Sequence, residues 1–101
     1  MFAQTPEPPY TAVIFTSILS DDADEYQLVA VEMERLAKEQ EGYLGIESAR
    51  DEVGITVSYW RDEGCAKRWK QNSDHALAQQ LGAKRWYQSY RVRIATVTRD
   101  Y

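Results

Sequence analysis

The chain has 101 residues, a formal net charge of −4, 44% hydrophobic residues and 12% aromatics. That is one small domain with too many apolar residues for a disordered chain, and its Lys and Arg are interspersed with acids rather than gathered into the basic stripe that nucleic-acid binding leaves. A single cysteine, Cys65, excludes an intrachain disulfide, and one His with one Cys makes no zinc site.

The first nine residues hold Pro6, Pro8 and Pro9 and read as an extended lead-in. They lack the basic and apolar regions of a signal peptide, and no apolar stretch reaches membrane-spanning length. A cytoplasmic protein with no membrane partner is expected.

Residues 10–101 are expected to form the domain. Tyr10 to Leu19 is rich in β-branched and aromatic residues and predicts the first strand. Its centre, Ala12-Val13-Ile14-Phe15, is apolar without alternation, so both faces should be covered. Asp21, Asp22 and Asp24 offer caps and negative charge for a helix start. Tyr26, Val29, Met33, Leu36 and Ala37 then recur at helical spacing, with Glu32, Glu34, Arg35, Lys38 and Glu39 on the wet side. Gly42 is placed to end the helix.

Two short strands follow, Tyr43 to Arg50 and Ile55 to Trp60, around turn residues Asp51-Glu52-Val53-Gly54. In the second, Ile55, Val57 and Tyr59 share one face and Thr56, Ser58 and Trp60 the other. Asp62 and Glu63 open a second helix through roughly Gln71. Ser73 or Asp74 is read as capping a short continuation that Gly82 could stop. Trp86 to Tyr90 is read as an aromatic-rich turn, and Arg91 to Arg99 as the last strand.

The order β-α-β-β-α-β is the ferredoxin-like pattern of an α+β fold, a four-stranded antiparallel sheet with two helices on one face. The other face is left over, and a second copy of the same sheet is the simplest cover for it. A homodimer through the open sheet face is therefore expected.

The chain resembles the antibiotic biosynthesis monooxygenase family. The fragments that carry the likeness are YTAVIFTS, GYLGIESAR (42–50), GITVSYW (54–60) and HALAQQLGAKRWYQSY (75–90). The resemblance implies a dimeric α/β barrel with a pocket between helices and sheet in each subunit. It also implies oxidation of aromatic substrates by molecular oxygen without metal or flavin. In polyketide-oxidising members an Asn stands four residues before a strand-terminal Trp. Trp60 matches that Trp, but the Asn position is Thr56, a Tyr position is Ala66, and an Arg position falls near Gln80. Haem-degrading members carry a second Trp, matched by Trp69. Their haem-ligating His corresponds to Gln79, and their first-strand Asn is absent, with Thr16 and Ser17 nearby.

His75 is the only histidine and the side chain that titrates nearest neutrality, so it is the candidate base, if a break near Asn72-Ser73 turns it toward the pocket. Trp60, Trp69, Trp86 and Tyr87 offer flat walls for an aromatic ligand, beside Thr56; core packing is the plainer role for each. Glu47 is expected to pair with Arg91 or Arg93, within the sheet or across a dimer. Cys65 reads as a small helix residue rather than a nucleophile. No G-x-G-x-x-G or P-loop is present. The reading is a cofactor-independent monooxygenase of a small aromatic or quinol-like metabolite, needing no cofactor or metal. The alternatives are a haem-binding or haem-degrading protein and a non-enzymatic small-molecule-binding dimer.

Overall fold

The computed structural model describes residues 2–21, 26–81 and 86–101, with residues 78–81 followed as helix backbone only. The elements run β1 (Tyr10–Leu19), α1 (Tyr26–Lys38), β2 (Tyr43–Arg50), β3 (Gly54–Trp60), α2 (Glu63–Leu81) and β4 (Tyr87–Val97). The sheet is antiparallel throughout, in the order β2-β3-β1-β4. This is the ferredoxin-like α+β fold expected from the element order.

Register sorts the residues of the sheet. Val13 lies opposite Ser58 and Ile94, and Phe15 opposite Thr56 and Val92. These residues face the helices. Ile14, opposite Val57 and Arg93, faces the other way. The apolar run in β1 therefore feeds two environments, because a central strand shows alternate residues to each face.

On the helix side Val13, Ala37, Trp60, Cys65, Ala66 and Trp69 form the core, with Met33, Leu36, Tyr43 and Val92 packed against it. The wet side of α1 is laced by ion pairs of Arg35 with Glu32 and Glu39, and of Lys38 with Glu34. Gly42 has φ +81, and a Cβ there would meet the Cys65 Sγ at 2.5 Å. Only glycine satisfies both the left-handed backbone and that close approach. Asp22 and Asp24, read as cap candidates, lie outside the described residues.

Three local expectations are corrected. The second helix does not break near Asn72-Ser73, since α2 is continuous from Glu63 to Leu81. The Ser73 hydroxyl donates to the Lys70 carbonyl of its own helix (2.9 Å), and Asn72 Nδ2 donates to Gln40 Oε1 (2.9 Å). Each polar side chain is thus satisfied without interrupting the backbone ladder. Tyr87 to Tyr90 is strand rather than turn, because β1 continues far enough to pair Ser17 with Tyr90 and, past an irregularity, Leu19 with Tyr87. At its other end β4 stops at Val97, opposite Tyr10, the first residue of β1, so Thr98 and Arg99 lie outside the strand.

Glu47 does not pair with Arg91 or Arg93 within the chain. It lies on β2 and they lie on β4, the two outer strands, three inter-strand spacings or roughly 14 Å apart. Instead Glu47 accepts the Tyr59 hydroxyl at 2.7 Å and the Ala3 backbone N–H at 3.0 Å. The lead-in is thereby held against the open sheet face. Its Ala3 approaches so closely that a Cβ on Gly45 would meet the Ala3 Cβ at 2.6 Å. Thr5 donates to the Tyr10 hydroxyl, which donates to Asp100 at 2.7 Å.

Candidate functional site: a helix–sheet cavity

A cavity of about 400 Å3 lies between the helices and the sheet. Its floor comes from helix-facing strand residues: Val13 and Phe15 of β1, Ile46 and Ser48 of β2, Thr56 and Ser58 of β3, and Val92 of β4. Pleating sets this stripe, since every second residue of each strand points the same way. From α2 come Trp69, Lys70, Ser73, Asp74 and Leu77, one stripe at helical spacing. From α1 come Tyr26, Ala30, Met33 and Glu34, among others.

One end of the cavity is aromatic. The Phe15 ring lies 5.1 Å from that of Tyr87, edge-on, and 5.6 Å from that of Tyr90, stacked. Tyr26 meets Tyr87 edge-on at 5.7 Å, and the Tyr87 hydroxyl lies 3.3 Å from the Tyr26 hydroxyl. The Arg50 guanidinium sits over the Tyr26 ring, 5.1 Å from its centroid, and hydrogen-bonds the Ser17 hydroxyl and carbonyl. Burial, then the hydrogen bond with Tyr26, raise the Tyr87 phenol above its ordinary pKa, with Arg50 opposing, so Tyr87 is a neutral hydroxyl at physiological pH.

The wall toward the core is Trp69, which stacks on Trp60, and Trp60 meets Tyr43 edge-on. Trp60 is fully buried, and its indole N–H donates to the Ser58 hydroxyl at 2.8 Å. Hydroxyls of Ser48, Thr56 and Ser58 are spread over an otherwise apolar floor. The site can therefore hold a flat apolar molecule and orient it by a few hydroxyl contacts.

Of the residues singled out from sequence, Trp69, Tyr87 and Thr56 line this cavity and are brought together. Trp60 stands behind Trp69 in the core, and Trp86 is buried at the approach to β4, its carbonyl accepting the Ser20 N–H at 3.0 Å. His75 is exposed on α2 and is not among the lining residues. Because the helix is unbroken, six positions place His75 roughly 120° around the axis from Trp69. The position read as Ala66 is packed fully into the core. Gln79 and Gln80 have side chains outside the described ones.

Sequence reasoning passed over Tyr26, Phe15, Tyr90 and Leu77. The heptad-like recurrence had already placed Tyr26 on the apolar face of α1, and a two-residue period through Val13 and Phe15 puts both on one side of β1. Neither pattern shows that the space between them is empty.

A ferredoxin-like sheet with two helices over one face, and an aromatic cavity between the layers, defines a class of small α+β proteins. Residues 9–81 match the profile of the antibiotic biosynthesis monooxygenase family, and the chain belongs to that family. An uncharacterised protein of Bacillus subtilis, YqjZ, is 46% identical over 100 residues, covering 97% of this chain and 88% of its own length. Among solved structures, PA3566 from Pseudomonas aeruginosa superposes with a TM-score of 0.68 at 19% identity, over 95% of this chain and 99% of its own. SnoaB, a cofactor-independent oxygenase from Streptomyces nogalater, superposes with a TM-score of 0.64 at 11% identity, over 93% of this chain and 96% of its own. At those identities the two structures speak for the fold.

Proposed function

We propose that this protein is a cofactor-independent monooxygenase acting on a small aromatic, quinol-like molecule held in the helix–sheet cavity. The observation that carries the reading is the cavity itself: about 400 Å3, walled by Phe15, Tyr26, Trp69, Tyr87 and Tyr90, with hydroxyls as its main polar groups. That volume and lining suit a bicyclic or tricyclic ring system. The family, with an oxygenase among proteins of the same fold, supports the reaction type.

In this reaction a hydroquinone and dioxygen give a hydroxyquinone and water. One oxygen atom replaces a ring hydrogen and the other leaves as water, and the substrate supplies all four electrons, so no external reductant is required. The protein orients the ring, keeps it out of bulk water and assists loss of the phenolic proton. Glu34 and Asp74 are carboxylates at the lining that could receive that proton. Haem binding is the alternative reading, since tyrosine and methionine can also ligate haem and Tyr26, Met33, Tyr87 and Tyr90 line the cavity.

The decisive experiment is oxygen uptake with a panel of benzo- and naphthohydroquinones. Uptake above autoxidation, giving hydroxylated quinone and abolished by Leu77→Trp, is expected. Uptake equal to autoxidation across the panel overturns the proposal. A saturable Soret shift on titration with haemin would replace it with the haem-binding alternative.

The second element of the proposal is a homodimer through the open sheet face. That face carries Ile14 and Val57 side by side, with Ile18 and Ile55 39% and 47% exposed. Val57→Glu is expected to convert a dimer into a monomer on light-scattering chromatography. A wild-type chain that elutes as a monomer would remove this element.

A further inference from the structure

The two tyrosine hydroxyls at the aromatic end of the cavity leave a polar function over. A hydroxyl has one proton to donate and two lone pairs. Tyr26 and Tyr87 hold two protons between them. Their mutual hydrogen bond of 3.3 Å uses one, whichever ring donates. The second proton meets no acceptor among the described residues. Both rings line the cavity, and both are partly screened from solvent. A ligand that displaces water from this hydroxyl must offer it an acceptor, because burying a hydroxyl without a partner is costly.

The surroundings narrow the acceptor. Phe15 and Tyr90 stack, and Tyr87 stands edge-on to the first and tilted to the second, so the pair sits within an aromatic cluster and the acceptor arrives on a ring. Arg50, fixed by Ser17, sits over the Tyr26 ring and places a positive charge behind the pair. That charge favours an electron-rich oxygen over an amine.

We propose that the Tyr26–Tyr87 hydroxyl pair is the specificity subsite that receives a phenolic oxygen on the edge of an aromatic ligand. This rests on the cavity being the ligand site, and adds which residues select the oxygen. Among the described residues, no other hydroxyl of the lining is hydrogen-bonded to a second hydroxyl. In the oxygenase reading, anchoring this oxygen fixes which ring carbon faces the rest of the cavity.

The test uses equilibrium dialysis of the intact protein with two probes of similar shape, 1-naphthol and 1-methylnaphthalene. The Tyr26→Phe/Tyr87→Phe double variant keeps both rings and removes both hydroxyls. It is expected to weaken 1-naphthol about five- to tenfold, one or two hydrogen bonds' worth, and to leave 1-methylnaphthalene within about twofold. The single variants then assign which ring donates outward. If the double variant binds 1-naphthol as tightly as wild type while 1-methylnaphthalene still binds, the subsite is overturned and the cavity reading stands. If neither probe saturates the wild-type protein, both are overturned. Retained binding of 1-methylnaphthalene shows that the variant is folded.

Discussion

The Trp60 indole lies against that of Trp69, ring centroids 5.6 Å apart and planes inclined by 22°. One ring is sealed in the core and the other is a cavity wall. Wall and core are thus a single packed unit, and changes at Trp60 should reach the cavity through Trp69. Truncating a buried tryptophan costs about 3–5 kcal/mol through lost burial and the void left behind. Trp60→Ala is expected to fall in that range by urea unfolding. Trp60→Phe should cost less, yet still leave the Ser58 hydroxyl without its indole donor.

Gly42 and Cys65 make a second close pair. Gly42→Ala forces a side chain into a left-handed backbone, costing roughly 1–2 kcal/mol, and also drives its Cβ against Cys65. The expected loss of stability exceeds the backbone strain alone. In a Cys65→Gly background, which has its own cost as a core residue is removed, Gly42→Ala should cost less than in the wild type, because the contacts at 2.5 Å and 2.8 Å are absent while the φ strain stays. An equal cost of Gly42→Ala in the two backgrounds would show that the contact is harmless.

Two pH effects on opposite sides of neutrality arise where Tyr59 meets Glu47. The Tyr59 hydroxyl and the Ala3 N–H hold the Glu47 carboxyl below its ordinary pKa. A depressed folded value gives stability that is present above the unfolded pKa of about 4.3 and fades as pH falls through the folded one. Burial and then Glu47 push Tyr59 from 10.0 up to about 12. Here the folded state holds its proton longer, so stability is full below pH 10 and declines as pH rises toward 12. Glu47→Gln should flatten the acid limb of a urea-midpoint profile, and Tyr59→Phe the alkaline limb.

Asp62 caps α2. Its Oδ1 accepts the Cys65 backbone N–H at 2.8 Å, and this bond, with the side-chain contacts of Cys65 and Arg61, brings its pKa down to about 2. The stabilisation is full above the ordinary value of 3.8 and is lost as pH falls toward 2. Asp62→Ala is expected to lower the urea midpoint at neutral pH. Asp62→Asn should retain most of the cap while losing the acid dependence. A midpoint unchanged in Asp62→Ala would remove the capping role.

For turnover, the cavity and the lone histidine separate cleanly. Leu77→Trp fills the space beside Trp69 and is expected to stop oxygen uptake. His75→Ala, on the exposed side of α2, is expected to retain it within about twofold. A large loss in His75→Ala would restore the imidazole as the base and require α2 to rearrange when substrate binds.

The chain itself determined the element order, because local periodicity and turn chemistry are written residue by residue. The bounds of β1 follow from a β-branched and aromatic run, those of β2 from the Gly42 helix stop before it and the Asp51-Glu52-Val53-Gly54 turn after it, and the α1 stripe from Tyr26 to Ala37 follows from helical spacing. The unalternating centre of β1 already implied a strand with two covered faces. Only the tertiary structure decided that Ser73 would bond back within α2 and keep it whole, which leaves His75 outside the cavity. Only it decided that Tyr87 would join β4 and meet Tyr26 from a distant part of the chain, and that Glu47 would be claimed by Tyr59 and the Ala3 N–H. The reason is physical. A residue's secondary structure is set mainly by its neighbours in sequence, while a cavity is the space several elements fail to fill together. No segment read alone contains that.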